Sequence, residues 1–413
     1  MNRWLYFGVF VSVALMMLVV VHRYIWRRVV HDTALAGIGR RAATLVLCLL
    51  AILIVAAMST QRLVPRETTL GIALAGFTWM GALFYLTATF LSLDAYRAPR
   101  RILGWVKTQF RTRSSRAPGS TSPTDDDSAA AIEPSRRQFL ARVAAVSAVG
   151  TSAGFVGIGM RSALGDVEKP VVEVKLARLP KELVGYRIVQ ISDVHVGPIL
   201  DSRFINYIVD EVNRMRPDLV VITGDLVDAP SSLIANDLAG LRGIRSRNGT
   251  YFVTGNHEYY SGPLEWIEVL ARMNIHTLVN QRVEIGDFGP KGARFDLVGV
   301  PDTQAGRFLP DHKPNLRAAL AGRDPEREII LLAHRPNDVV EAAQLGVGLQ
   351  LSGHTHGGQL WPFFAAASLA NRYVAGLHHE TEHTQIYVSR GTGFWGPPMR
   401  VFAPAEIGTV VLI

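Results

Sequence analysis

The chain has 413 residues, 48% of them hydrophobic, and a mean hydropathy of +0.18, which is too apolar for a single soluble domain and long enough for two or three domains. Its formal charge of +8 is unevenly split: residues 1–137 hold 17 Lys/Arg against 7 Asp/Glu, and the remainder holds 26 against 28. The basic excess belongs to the N-terminal third, so it does not point to a nucleic-acid partner, and the single cysteine, Cys48, excludes an intrachain disulfide or a thiolate metal site beyond that third.

Residues 1–111 read as a transmembrane region. Uncharged runs at Trp4–Val21, Ala42–Gln61 and Thr68–Leu93 predict three helices (about 4–21, 42–61 and 68–93), each long enough to cross a hydrocarbon core that takes about 17–25 apolar residues. Arg23, Arg27, Arg28, Arg40 and Arg41 crowd the first loop, Arg62 and Arg66 alone occupy the second, and nine basic residues lie between Arg97 and Arg137. The positive-inside rule then puts the first loop and the 94–138 segment in the cytoplasm. Trp4, Trp26 and Trp105 suit interface positions.

Residues 112–138 read as a disordered cytoplasmic linker, because Thr112–Ser135 is rich in Ser, Pro, Thr and Asp and poor in bulky apolar side chains. It ends in Ser135-Arg136-Arg137-Gln138-Phe139-Leu140, which resembles a twin-arginine export signal, with Ala141 where lysine is usual. The plainer reading makes Arg136 and Arg137 charge anchors of a fourth helix through Val143–Met160. Either way, residues 139–165 are a fourth membrane segment or export signal, and everything after Arg161 lies outside the cytoplasm.

From residue 166 onward short β-branched runs recur at Val171–Leu176, Arg187–Ile191, Leu219–Thr223, Tyr251–Thr254, Phe295–Val300, Ile329–Leu332, Gln385–Ser389 and Thr409–Ile413. Helical periodicity at Arg203–Met215 and Leu264–Met273 separates some of them, which predicts an α/β layered domain over 166–413. Polar residues follow the strands: Asp193 and His195, Gly224-Asp225, Gly255-Asn256-His257-Glu258, His334, and Gly353-His354-Thr355-His356-Gly357-Gly358. Open α/β sheets place their sites past such strand ends. Each of these residues taken alone has an ordinary structural use, as a turn cap or a core histidine; their conjunction is what points to metals. Gly224, Gly255 and Gly353 each precede a ligand by one residue, where a side chain would obstruct.

This ordered set resembles the calcineurin-like metallophosphoesterase superfamily, in a membrane-anchored bacterial branch with a twin-arginine-like signal. Its blocks are Asp-x-His, Gly-Asp, Gly-Asn-His-(Asp/Glu), a lone His and Gly-His-x-His. The resemblance implies a four-layer α/β/β/α sandwich with one ion held by Asp193, His195, Asp225 and His356, and a second by Asp225, Asn256, His334 and His354. His257 would stand beside the substrate as the catalytic acid or as a stabiliser of the phosphoryl group. Two divalent ions about 3.5–4 Å apart hold phosphoryl oxygens and generate hydroxide, and carboxylate–imidazole ligands suit Mn, Fe, Zn or Co.

The expected protein is therefore a binuclear-metal phosphoesterase of the bacterial inner membrane, multi-pass, with its catalytic domain outside the cytoplasm. Its partners would be the lipid bilayer, a phosphate ester that is lipid-linked or of the envelope, and the twin-arginine export machinery. Three other readings stay open: a cytoplasm-facing pyrophosphatase of a nucleotide-linked acylated sugar in lipid A synthesis, a non-catalytic binding scaffold, and a transporter with an accessory phosphoesterase. Two loops carry unassigned apolar residues. Leu360-Trp-Pro-Phe-Phe364 is either a core segment or a wall facing substrate or membrane, and Gly391-Thr-Gly-Phe-Trp-Gly-Pro-Pro398 lines the same rim. His276, His312, His378, His379 and His383 match no block.

Overall fold

A computed structural model of the protein describes residues 3–114, 127–287 and 292–413, and divides into two compact units: Met1–Ala56 with Thr78–Gly157, and Ala57–Phe77 with Ile158–Ile413. The first is built from helices α1 (Arg3–Trp26), α2 (Gly37–Thr60), α3 (Arg66–Ser114) and α4 (Asp127–Leu164). Among the described residues three helical stretches are long and apolar enough to cross a membrane: Gly37–Thr60, Arg66–Pro99 and Arg136–Leu164. The predicted run Trp4–Val21 falls within α1, whose first side chains are outside the described set. Of the expected linker 112–138, residues 115–126 lie outside the described residues and 127–138 are helical, as the opening of α4. Within this unit Ile25, Ile54, Leu83, Phe90 and Ala148 form one apolar cluster, and Arg28 pairs with Asp94 and Asp32.

The second unit holds two six-stranded sheets. The first contains β1 (Val171–Val174), β2 (Arg187–Ile191), β3 (Leu219–Ile222), β4 (Thr250–Phe252) and β5 (Ile275–Thr277). The other holds β6 (Gln281–Gly286), β7 (Arg294–Gly299), β8 (Ile329–Leu332), β9 (Leu349–Ser352), β10 (Gly376–His379) and β11 (Gln385–Val388), while the last strand, β12 (Gly408–Leu412), joins the first sheet. The orders are β1-β12-β2-β3-β4-β5 and β10-β11-β9-β8-β7-β6. β2, β3, β4 and β5 run parallel, as do β11, β9, β8 and β7.

The helices follow from the same sequence periodicities. Between the strands of the first sheet lie α5 (Ser202–Arg214), α6 (Ser231–Ile234), α7 (Asn256–Ser261) and α8 (Pro263–Ala271); the second sheet is served by α9 (Leu316–Ala319), α10 (Val339–Gln344) and α11 (Phe364–Ala370). Asp201 caps α5 by accepting the Arg203 N–H, and α8 starts on Pro263, whose missing donor costs nothing there.

Strands buried on both faces need apolar residues at every position, and β3 is fully buried throughout. Leu219 and Val221 point into a cluster with Phe295, Leu297, Ile330, Leu332, Leu349 and Leu351, which sets the two sheets face to face. Val220 and Ile222 point the other way, into Ile205, Ile208, Trp266 and Leu270 of α5 and α8. Val298, Ile329 and Leu331 cover α9 and α10 on the far side. The result is the expected four-layer α/β/β/α sandwich, with the C-terminal ends of β2, β3, β4, β8 and β9 meeting across the seam between the sheets.

Candidate metal centre and active site

The loops after β2 and β3 keep pairing beyond the strands: Asp193 N–H donates to Gly224 O at 3.0 Å and His195 N–H to Asp225 O at 3.1 Å. Holding that contact while turning side chains inward puts non-glycine residues in left-handed backbone. Asp193 (φ 51), His195 (φ 55), Asp225 (φ 51), His354 (φ 71) and His356 (φ 53) all adopt it. Each such residue costs on the order of 1–3 kcal/mol, and strain concentrated on one side-chain set marks a functional site.

The glycines are required by neighbours. A Cβ at Gly224 (φ 92) would lie 2.5 Å from Gly255 N, and one at Gly353 would lie 2.0 Å from Ser192 Oγ and 2.1 Å from Asp193 Oδ2. What the missing side chain makes room for is the ligand shell itself.

The sequence-predicted residues converge. Three groups have ligand atoms within 4.8 Å of one another: Asp193, His195 and His356; His195, Asp225 and His257; and Asp225, His334 and His354. His257 thus lies closer to the ligand set than expected, with Nε2 4.0 Å from Asp225 Oδ2. Asn256 is buried beside them and accepts from Arg335 Nη2 at 3.4 Å.

Hydrogen bonding at the outer nitrogens fixes what faces inward. His334 Nδ1 donates to the Thr223 carbonyl at 2.8 Å, which sets Nε2 3.2 Å from Asp225 Oδ2 and 3.2 Å from His354 Nδ1. His195 Nδ1 lies 2.8 Å from Asp228 Oδ1, which turns its Nε2 lone pair toward His356 Nε2, 3.0 Å away. Imidazole nitrogens and carboxylate oxygens gathered this closely in a buried site, with no thiolate among them, fit divalent metal binding.

Charge in the site is coupled. Burial alone would raise Asp225, but the His334 and His257 imidazoles outweigh it and hold the carboxyl well below its usual range. Burial pulls His257 down, yet Asp225 and Asp228 outweigh it and lift the imidazole to about 9. His354 is pushed down to about 3 by burial and by His334.

Three residues, Asp228, Arg335 and Arg400, escaped sequence reasoning, and Glu258 was read there only as part of its block, without a role. Asp228 is buried and its Oδ1 accepts from both His195 Nδ1 and His257 Nδ1, the latter at 2.6 Å; its only signal was a position three residues after Asp225. Glu258 carries the turn of the Gly-Asp block: its carboxylate accepts Gly255 N–H at 2.6 Å, Leu226 N–H at 2.8 Å and Asp225 N–H at 3.0 Å. Arg335 Nε pairs with the fully buried Asp302 at 2.6 Å. Arg400 is completely buried, donates to the Gly393, His356, Arg390 and Ala403 carbonyls, and sets Nη2 3.1 Å from His356 Nδ1.

The unassigned histidines stay outside the centre: His276 is on β5, His378 and His379 are on β10, and His312 meets Tyr259 Oη at 2.8 Å. The 360–364 segment is not core, with Trp361, Phe363 and Phe364 each about half exposed.

Residues 186–358, which contain every predicted ligand, match the calcineurin-like phosphoesterase family. A Bos taurus transmembrane protein with metallophosphoesterase domain is 33% identical over 400 residues, covering 94% of this chain and 85% of that one. The chain belongs to the calcineurin-like phosphoesterases. It is a metal-dependent phosphoesterase, and its similarity to the bovine protein runs through the N-terminal helices as well as the sheets. A Danio rerio protein of the same description is 41% identical over 248 residues, 58% of this phosphoesterase and 56% of that chain. An uncharacterized metallophosphoesterase of Helicobacter pylori strain J99 is 37% identical over 281 residues, 68% of this chain and 73% of its own.

Proposed function

We propose that the protein is a membrane-anchored, two-metal phosphoesterase whose catalytic domain lies outside the cytoplasm and acts on a lipid-linked or envelope phosphate ester. The observation that carries this is the inward convergence of buried acceptor atoms from five strand ends beside a His257–Asp228 pair. Asp193, His195, Asp225 and His356 would hold one ion, and Asp225, Asn256, His334 and His354 would hold the other. When bound, the ions supply Lewis-acid charge for phosphoryl oxygens and acidify water at the centre.

The chain's own groups do the rest. Asp228 takes the Nδ1 proton of His257 in a hydrogen bond and so aims Nε2 at the substrate. With its pKa lifted to about 9, His257 holds a proton at neutral pH and delivers it to the departing alkoxide. Asn256 adds an oxygen without adding charge, and the buried Arg400 guanidinium steadies the His356 ring.

Two features support the placement. The α2–α3 connection falls with the sheets in one compact unit, Ala57–Phe77 with Ile158–Ile413, which supports a shared side of the membrane for the connection and the sheets. Near the end of α4, Gly159 O accepts the Arg400 N–H at 2.9 Å and Ala163 packs with Leu200 and Phe394, so the catalytic rim adjoins a helix leaving the bilayer. There the rim exposes Trp361 (49%), Trp395 (48%), Phe402 (78%) and Leu369 (92%), and Phe402 holds its ring outward from left-handed backbone (φ 58). An apolar collar of this kind suits the interface of a bilayer that presents the substrate. The Ser135–Leu140 segment, read as a twin-arginine signal and exposed over Arg136–Leu140, would supply the export route.

The test is hydrolysis of bis-p-nitrophenyl phosphate and p-nitrophenyl phosphate by the full chain, with manganese added or metals chelated, beside Asp225→Asn and His356→Ala. Metal-dependent turnover lost in both variants supports the reading; a folded, metal-loaded wild type without turnover on either ester or on a phospholipid monoester overturns it.

A further inference from the structure

Arg62, in the α2–α3 connection, and Arg66, the first residue of α3, are used differently. Arg66 is fully engaged: Nη2 lies 2.6 Å from Asp201 Oδ2, and Nε donates to the Pro198 carbonyl at 2.9 Å. Since Asp201 caps α5, this pair pins the connection to the catalytic unit. Arg62 donates only Nε, to the Asp228 carbonyl at 3.3 Å, and sets its guanidinium carbon 5.7 Å from the centre of the Tyr260 ring. Among the described residues no carboxylate lies within ion-pair distance of it.

Both contacts lead to His257. The Asp228 side chain holds His257 Nδ1 at 2.6 Å, and the Tyr260 ring meets the His257 ring edge-on at 5.4 Å. A half-buried guanidinium has five donors, and one of Arg62's is used. Stacking on Tyr260 and the single bond to Asp228 fix the fork in place and leave its two terminal nitrogens for an anion, the geometry in which arginine binds phosphate.

We propose that Arg62 is a substrate-binding residue that grips phosphate-ester oxygens on the Tyr260 side of His257, so that a connection between two membrane helices forms part of the substrate site. The inference rests on the phosphoesterase reading and gives the helical region a share in recognition beyond anchoring. Arg66 holds the connection in register, and Arg62 reaches across it to the anion.

The experiment uses the full chain in nanodiscs, metal-loaded, as wild type, R62Q, R62K and R66Q. KM and kcat are measured with bis-p-nitrophenyl phosphate, and the Kd of inorganic phosphate is measured by calorimetry, which needs no turnover. R62Q is expected to raise KM and the phosphate Kd about tenfold, the scale of one charge-assisted hydrogen bond, with kcat changed less than about threefold. R62K, which keeps the charge and loses the fork, recovers part of that loss. R66Q gives the pattern of a docking role, a lower Tm with phosphate Kd unmoved. An R62Q protein that repeats the R66Q pattern, or shows no change in KM and Kd, overturns the proposal. A wild type that neither binds phosphate nor turns over fails at the earlier step, and the phosphoesterase reading goes with it.

Discussion

Asp228 Oδ1 sits 2.6 Å from His257 Nδ1, in a pocket where both side chains are almost fully buried. Asp225 and Asp228 together lift the imidazole to about 9, so activity that needs the His257 proton is expected below that pH and is expected to fall as pH rises through it. Asp228→Asn removes a charge that raises His257. Its alkaline limb in a pH profile of kcat/KM is expected to move to lower pH, with kcat down about 10²-fold; an unmoved limb would refute the pairing.

Glu258 accepts three backbone N–H groups around the Gly-Asp turn. In Glu258→Gln one amide face turns donors onto donors, leaving at least one buried N–H unsatisfied. Thermal unfolding of the metal-free protein should show a loss of about 1–3 kcal/mol, because the defect lies in the turn and exists without metal.

At position 353 an alanine methyl would have to displace Ser192 or Asp193. Gly353→Ala is expected to lower metal affinity about tenfold or more while the sheets stay folded. Metal content after dialysis, compared with far-UV circular dichroism, separates this from general misfolding.

The apolar collar predicts a split by substrate. Phe402→Ser with Trp361→Ala removes rings each worth about 1.5–3 kcal/mol when buried in an apolar phase. Turnover of a phospholipid ester in vesicles should fall about tenfold or more, with bis-p-nitrophenyl phosphate hydrolysis in solution unaffected; equal loss on both substrates would remove the bilayer from the account.

Much of the catalytic unit was legible in the sequence because its signals are local. β2 and β8 match their predicted bounds, since a strand buried on both faces is mostly apolar: β8 is so at every position, and β2 carries Ile188, Val189 and Ile191 around Gln190. Edge strands β5, β6 and β10 were missed: they are short or half-exposed, and polar side chains such as His276 and Glu284 hide their period. Asp228, Arg335 and Arg400 were missed for a different reason. Each acts on a residue brought near by folding alone, as Arg400 does on His356 across 44 positions. Ligands reveal themselves by spacing, whereas the groups that orient ligands do so only by contact.

Asp193, Asp225 and Asn256 come from the first sheet, and His334, His354 and His356 from the second. On the proposed ligand assignment neither sheet carries a complete coordination shell, so the centre would not survive in half of the domain. A bound ion would act as a rivet through the sandwich: prising the two layers apart would cost its binding free energy in addition to the apolar contacts of the seam. Chelation should accordingly loosen the fold at the mouth first, where the strained loops would lose a partner that rewards their conformation.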